Sequence, residues 1–195
     1  MRSETDALRR AVRLVALANL GYFGVEFAVA LAIGSVSLFA DSIDFLEDAS
    51  VNVLILVALG WTARNRARVG MLLAGILLVP GLATIWTARD KLNAPTPPEP
   101  IALSLTGLGA LAVNLSCALL LARYRRHGGS LTKAAFLSAR NDALANVAII
   151  ATGLVTALLW RSAWPDLIVG LGIAAMNADA AREVFSAADR EHAAA

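Results

Sequence analysis

Long apolar runs separated by short polar segments dominate the chain and predict six membrane-spanning helices. Each run holds about 20 or more mostly apolar residues, the length that a helix needs to cross roughly 30 Å of hydrocarbon. The fold class predicted is an all-α integral membrane protein, a six-transmembrane-helix bundle forming a single transmembrane domain over 1–195 with no soluble domain. The predicted spans are about 14–33, 36–60, 69–88, 101–122, 134–159 and 163–185.

Turn and helix-breaking residues lie at the joints of this pattern. Gly34-Ser35 joins the first two spans, and a proline-rich segment, 95–100, follows the third. Pro80-Gly81 lies inside the third span, where a proline predicts a kink.

Basic residues are distributed unevenly between the two sets of loops. The N-terminal segment, the second-to-third loop, the fourth-to-fifth loop and the tail hold 13 of the 17 Lys and Arg residues, whereas the opposite side holds three. Cytoplasmic loops of membrane proteins carry the excess of Lys and Arg. Both termini are therefore predicted to be cytoplasmic, with the protein in the cell (inner or plasma) membrane.

Composition removes several other classes of protein. The chain is 58% hydrophobic, which is too apolar for an ordinary soluble domain. Its net charge is only +2, so no basic field indicates a nucleic-acid partner. One cysteine, Cys117, excludes an intrachain disulfide framework and any cysteine-rich metal site.

Acidic residues interrupt the second span. At 100° per residue, Asp41, Asp44 and Asp48 lie with Asn52 within about an 80° stripe of one helix face, and Glu47 lies at its flank. A charged side chain at the membrane centre costs roughly 2.5–3.5 kcal/mol on insertion scales. Several on one stripe require compensation by protons, a basic residue or a bound cation.

A second polar cluster lies in the fifth span. Ser138, Asp142 and Asn146 are spaced i, i+4 and i+8 and share a helix face, with Asn141 nearby. The second and fifth spans cross the membrane in opposite directions, at depths that allow the two clusters to face each other. Together they offer three carboxylates, a hydroxyl and nearby amides. The lone intramembrane basic residue, Arg140, cannot neutralise six intramembrane acids.

These residues resemble the cation diffusion facilitator family of divalent-metal transporters. The resemblance spans the six-helix region and is most specific in the segment from Gly34 to Asp48, in the proline-rich segment, in Asp142, and in the run Trp-Pro-Asp-Leu-Ile at 164–168. In that family the second span supplies (His/Asp/Asn)-x-x-x-Asp and the fifth (His/Asp)-x-x-x-Asp, and the four side chains form a tetrahedral transport site.

Carried over by position, the motif implies a set of metal ligands in this chain. Asp44 and Asp48 match the second-span pair, and Asp142 matches the second member of the fifth-span pair. Ser138 stands where the family has His or Asp, so Ser138 or a water completes the set. A carboxylate-rich set suits Mn²⁺ or Mg²⁺ better than Zn²⁺. Four further residues are expected to surround the ligands or line the ion pathway: Asp41, Glu47, Asn141 and Glu26.

The resemblance implies a transporter rather than an enzyme. It implies export of a divalent cation (Zn²⁺, Mn²⁺, Fe²⁺, Co²⁺ or similar) from the cytoplasm in exchange for protons, by alternating access, as a homodimer in the lipid bilayer. No cofactor, no nucleic-acid partner and no catalytic set are expected. The chain ends shortly after the sixth span, so the family's cytoplasmic metal-binding domain is expected to be absent.

Other interpretations remain open at this level. The missing ligand and missing domain favour, as an alternative, a transport-inactive membrane partner that assembles with a full-length transporter. A proton-only or organic-cation carrier is a further alternative. Several polar residues are interpreted structurally: Cys117 as packing, Asp166 as a cap of the sixth helix, and Asn19, Glu26, Asn52, Asn141 and Asn146 as interhelical hydrogen-bonding or cavity-lining groups.

Overall fold

The computed structural model describes the backbone of residues 2–58, 82–122 and 129–193. Side chains are described for 6–53, 56, 82–122 and 142–179, and at 182 and 186. These residues form helices joined by turns and one extended segment, and no strand occurs among them. The helices are α1 (Arg2–Ile33), α2 (Val36–Ala58), α3 (82–93), α4 (Pro100–Ala122), α5 (Gly129–Leu158) and α6 (Trp164–Ala193).

Within the described ranges the helices cover the predicted spans to within one residue, and several helices extend further. α1 begins at Arg2 rather than near residue 14, α3 continues to 93 instead of ending at 88, and α6 continues to Ala193. Apolar composition marks the part that fits the hydrocarbon, whereas helical hydrogen bonds continue into polar sequence. Most of the predicted third span and the kink at Pro80-Gly81 lie outside the described residues.

α2 occupies the centre of the described bundle. It packs on α1 and α6 and also touches α4 and α5, while α4 packs on α5 and α1. Every residue from 35 to 43 is buried. α2, the helix that carries the acidic stripe, is therefore in contact with α1, α4, α5 and α6.

Polarity is inverted relative to a water-soluble protein. Large apolar side chains face outward, among them Leu119 at 70% and Leu158 at 77% exposure. Polar side chains are buried instead, including Asn19, Glu26, Asp41, Asn52, Thr106, Asn114, Asn146, Thr156 and Asp166. By length and apolar composition alone, two helices in the described part qualify as membrane spans, Asp6–Ile33 and Pro100–Ala122.

A tight turn sets α1 and α2 side by side. Gly34 adopts φ +63°, a left-handed conformation that glycine takes without steric cost, and the Ser35 amide donates to the Ala30 carbonyl at 3.0 Å. Ser35 Oγ then accepts the Leu38 amide at 3.1 Å and so caps α2. We call the end of the bundle at this turn the Gly34 end.

Asp166 caps α2 rather than its own helix, which corrects the sequence-based interpretation. Its carboxylate accepts the backbone amides of Val36 at 2.9 Å and Ser37 at 3.1 Å, and the hydroxyls of Ser35 and Ser37 at 2.7 Å. Lys91 of α3 lies 3.4 Å from it and also donates to the Gly34 carbonyl. Asp166 lies in the first turn of α6 but faces the first turn of α2, where unpaired amides attract a carboxylate.

Candidate functional site

The three carboxylates predicted as ligands lie within electrostatic range of one another, two on α2 and one on α5. Asp44 interacts electrostatically with Asp48 on its own helix and with Asp142 of α5, and Asp142 interacts with Asp48. Each of the three is half-buried, so part of each side chain stays accessible among the described residues. The helical spacing of Asp44 and Asp48 puts both on the face that α5 approaches.

Asp48 is held from α1. Asn19 Nδ2 donates to Asp48 Oδ2 at 3.3 Å, and Asn19 Oδ1 accepts from the Cys117 thiol of α4 at 3.6 Å. This observation agrees with the interpretation of Asn19 as an interhelical hydrogen-bonding group and names its partner. The thiol also lies within electrostatic range of Asp48 and Asp142. Cys117, interpreted as packing, therefore borders the acidic cluster.

Two other asparagines bond within their own helices. Asn52 Nδ2 donates to the Asp48 carbonyl at 2.7 Å and Asn146 Nδ2 to the Asp142 carbonyl at 2.9 Å, each one turn back along the helix. For these two the interhelical interpretation is replaced by a local bond. Their Oδ1 atoms are buried and accept no hydrogen bond within the described part of the chain.

The residues predicted to surround the ligands divide into two groups. Glu47 is half-buried and interacts electrostatically with Asp48. Glu26 and Asp41 are both 0% exposed, and their carboxyl groups interact with each other across the α1–α2 interface. The acidic stripe of α2 therefore has a half-accessible portion around Asp48 and a fully enclosed portion at Asp41.

The side chains of Ser138 and Asn141 lie outside the described residues, although their backbone belongs to α5. Among the residues that are described, no three His, Cys, Asp or Glu side chains stand close enough together to hold a metal ion as they are placed. The described carboxylates converge within electrostatic range without forming a closed coordination shell. A cation bound here would draw them together and would take further ligands from water or from α5.

Charge balance favours a positively charged occupant. Lys91 pairs with Asp166 at the Gly34 end, away from the acidic cluster. Within the described side chains no other ion pair is formed, and no described Lys, Arg or His pairs with Asp44 or Asp142. Carboxylate oxygens are ligands of divalent cations and also hold protons, and either occupant lowers the cost of burying this much negative charge.

Comparison with known proteins decides the family. The family model of the cation efflux transmembrane domain matches residues 12–189, which is nearly the whole 195-residue chain. The chain belongs to the cation efflux family. This finding confirms the resemblance to the cation diffusion facilitators. No curated protein matches the chain.

Membership defines the protein at a coarse level. It is an integral membrane protein of a family whose members transport metal cations and are not enzymes. The matched region covers part or all of each of the six helices, so Asp44, Asp48 and Asp142 lie inside the cation efflux transmembrane domain.

Proposed function

We propose that this cation efflux protein exports a divalent metal cation from the cytoplasm in exchange for protons, with Asp44, Asp48 and Asp142 as the ligands. The observation that supports the proposal most directly is the electrostatic convergence of half-buried carboxylates from α2 and α5. Ser138 or a water completes the shell. An oxygen-rich set favours Mn²⁺ over Zn²⁺, and we expect Fe²⁺ and Co²⁺ to compete.

Exchange follows from the chemistry of the ligands. When the cation leaves, three carboxylates remain close together, and like charges held at short range take up protons. When a cation arrives, those protons are released because the ligands bind metal in the ionised form. The same carboxylates thus bind the metal cation from one side of the membrane and protons from the other.

Flux measurements in proteoliposomes test the assignment. We expect Mn²⁺ flux, read by an enclosed fluorescent indicator, in wild type but not in Asp48→Asn or Asp142→Asn. Asp90→Asn is the matched control because Asp90 is an exposed carboxylate at the Gly34 end. Wild-type flux in Asp142→Asn would reject the proposed site.

The orientation is tested separately. We propose that both termini are cytoplasmic, which places the Gly34 end on the opposite side. In a Cys117→Ser background, an impermeant maleimide applied to intact cells should label Asn93→Cys and should leave Ser3→Cys unlabelled. The reverse pattern would invert the orientation and turn the predicted export into uptake.

The second candidate is a transport-inactive partner of a full-length transporter, favoured by a serine at position 138 where the family has a metal ligand. Wild-type protein alone would then move no metal in liposomes. We also propose a homodimer, as the family resemblance implies. Light scattering of detergent-solubilised protein distinguishes this dimer from a monomer and from a complex with another chain.

A further inference from the structure

Glu26 of α1 and Asp41 of α2 form a buried pair apart from the three proposed ligands. Both side chains are 0% exposed, and their carboxyl groups lie within electrostatic range of each other. All four carboxyl oxygens are buried, and no donor from the other described residues reaches any of them. Among the described residues, these oxygens therefore gain a hydrogen bond when the two carboxyl groups hold a donor between them.

A proton meets this requirement with the atoms present. Two ionised carboxylates have only acceptors, so no hydrogen bond forms between them, and burial makes their mutual repulsion costly. One proton converts one carboxyl into a donor to the other. The surroundings are apolar, since Ala30, Leu38, Ala40 and Ile43 belong to the buried core beside the pair. A divalent cation would need four or more ligands, whereas the pair supplies two carboxyl groups.

The groups facing the pair do not replace that proton. Tyr22 of α1 lies within electrostatic range of both carboxyls, but its hydroxyl donates to the Thr106 carbonyl at 2.6 Å. The other described titratable groups within range are acids, Asp44 of α2 and Asp142 of α5. α6 contributes an amide, Asn177, which donates to the Ala40 carbonyl at 3.2 Å. No described Lys, Arg or His donates to either carboxyl.

The pair lies between the proposed ligands and the Gly34 end. Asp41 precedes Asp48 by seven residues, which places it roughly 10 Å closer to that end along α2. Asp44 lies between the two levels and interacts with Asp41 and Glu26. A cation bound at Asp44 would therefore weaken proton binding by the pair, and a proton on the pair would weaken cation binding by the same factor, by the reciprocity of linked sites.

We propose that Glu26 and Asp41 share one proton and form a proton-binding site distinct from Asp44, Asp48 and Asp142. Proton binding by the pair stands without the proposed function. Its role in exchange rests on that function, because release of this proton when the metal binds adds one proton to those that the ligands exchange.

Infrared spectroscopy tests the shared proton directly. In lipid-reconstituted wild type at neutral pH, we expect the carbonyl-stretch absorption of a protonated carboxylic acid, with one component lost in both Glu26→Gln and Asp41→Asn. Both substitutions preserve side-chain size and leave an amide that can donate to the remaining carboxylate. Asp90→Asn should leave the absorption unchanged. Gel filtration checks that both variants are folded. If either folded variant keeps every infrared component, the proposal is overturned.

Coupling is tested on the same variants. Adding Mn²⁺ to wild type should reduce the component that Glu26→Gln lacks, and Glu26→Gln should release fewer protons per metal bound while still binding Mn²⁺. Coupled sites typically alter each other's affinity by about tenfold, so the displacement is measurable by titration. If wild type shows the infrared component but no Mn²⁺ flux, the transport function is rejected and the proton site is retained. An infrared component insensitive to Mn²⁺ and equal proton release would reject the coupling.

Discussion

Asn19 is the residue whose bonds fix the orientation of Asp48. It is 0% exposed, its amide nitrogen donates to the Asp48 carboxylate, and its amide oxygen accepts from Cys117. An amide engaged at both ends has one orientation. Asn19 therefore binds one carboxylate oxygen of Asp48 from the α1 side.

We expect Asn19→Leu to weaken Mn²⁺ binding without unfolding the protein. Groups that orient metal ligands typically contribute 10–100-fold in metal affinity, so calorimetry should give a dissociation constant raised by about that factor. Asn177→Leu is the matched control, since Asn177 also makes an interhelical bond but to a backbone carbonyl. An unchanged dissociation constant in Asn19→Leu would show that Asp48 needs no orientation or is not a ligand.

The α1–α2 hairpin aligns its residues about Gly34 with a constant register. Glu26 lies eight residues before Gly34 and Asp41 seven after it, Asn19 lies 15 before and Asp48 14 after. Both pairs meet. Tyr22 and Phe45, 12 before and 11 after, also contact each other with ring centroids 5.1 Å apart. The two polar pairs therefore lie about two helical turns apart along the same antiparallel helix pair.

Two glycines of this region should resist replacement by alanine for different reasons, Gly34 because of its backbone conformation and Gly170 because of close packing. Gly34→Ala should destabilise the protein by about 1–2 kcal/mol, the cost of a left-handed residue with a Cβ, because no atom within 4 Å opposes that Cβ. Gly170→Ala should cost about 1–3 kcal/mol through overpacking, since its Cβ would lie 2.7 Å from the Val36 backbone carbon.

Gly172→Ala controls for both because it lies in α6 with nothing within 4 Å of its added Cβ. Helix propensity there favours alanine by up to about 1 kcal/mol. Unfolding in mixed micelles, followed by tryptophan fluorescence, measures all three variants. Equal stability of Gly170→Ala and Gly172→Ala would show that α6 does not approach α2 as closely as described.

The antiparallel pair of α1 and α2 and the shared face of its acids could be predicted from the sequence because their signals are local. A glycine between two apolar runs predicts an antiparallel pair, and helical period predicts which acids share a face. The proximity of Glu26 to Asp41 was not predicted, although their nearly equal spacing from Gly34, eight residues before and seven after, indicates it. The sequence also does not show whether the amide groups of Asn52 and Asn146 bond to another helix or within their own, since either kind of bond satisfies the amide nitrogen.

The Gly34 end is held together by contacts between segments that are distant in sequence. Asp166 is separated from Ser35 by 131 residues, yet it accepts four hydrogen bonds from the first turn of α2 and pairs with Lys91 of α3. Periodicity contains no sign of such a contact. A carboxylate in a first helical turn ordinarily caps its own helix, which is why the sequence predicted the wrong partner.

This arrangement closes one end of the described bundle. Beside the Asp166 contacts, a buried apolar cluster joins α2, α3 and α6 through Val36, Ala88 and Leu167. The enclosed carboxyl pair Glu26–Asp41 lies further along α2 from this end, and the half-exposed ligands lie beyond the pair. Along α2, accessibility of the acids therefore increases with distance from the Gly34 end.

A double-mutant cycle on Lys91 and Asp166 measures how much of this closure depends on the ion pair. Lys91 is 7% exposed and Asp166 0%, so removing either partner leaves a buried charge unpaired. We expect Asp166→Asn and Lys91→Met each to lower the free energy of unfolding by about 3–5 kcal/mol. The double variant should be less destabilised than the two losses combined, because neither charge then remains.

Asp166 has a role beyond the ion pair, and the cycle separates the two. Its carboxylate also caps α2, so the double variant should remain less stable than Lys91→Met alone, by about 1 kcal/mol for a lost helix cap. Asp90→Asn, which alters an exposed neighbour of Lys91, should leave stability unchanged. Additive losses for the two single variants would mean that Lys91 and Asp166 act independently. The hydrogen bonds to α2, rather than the charge on α3, would then account for the closed end.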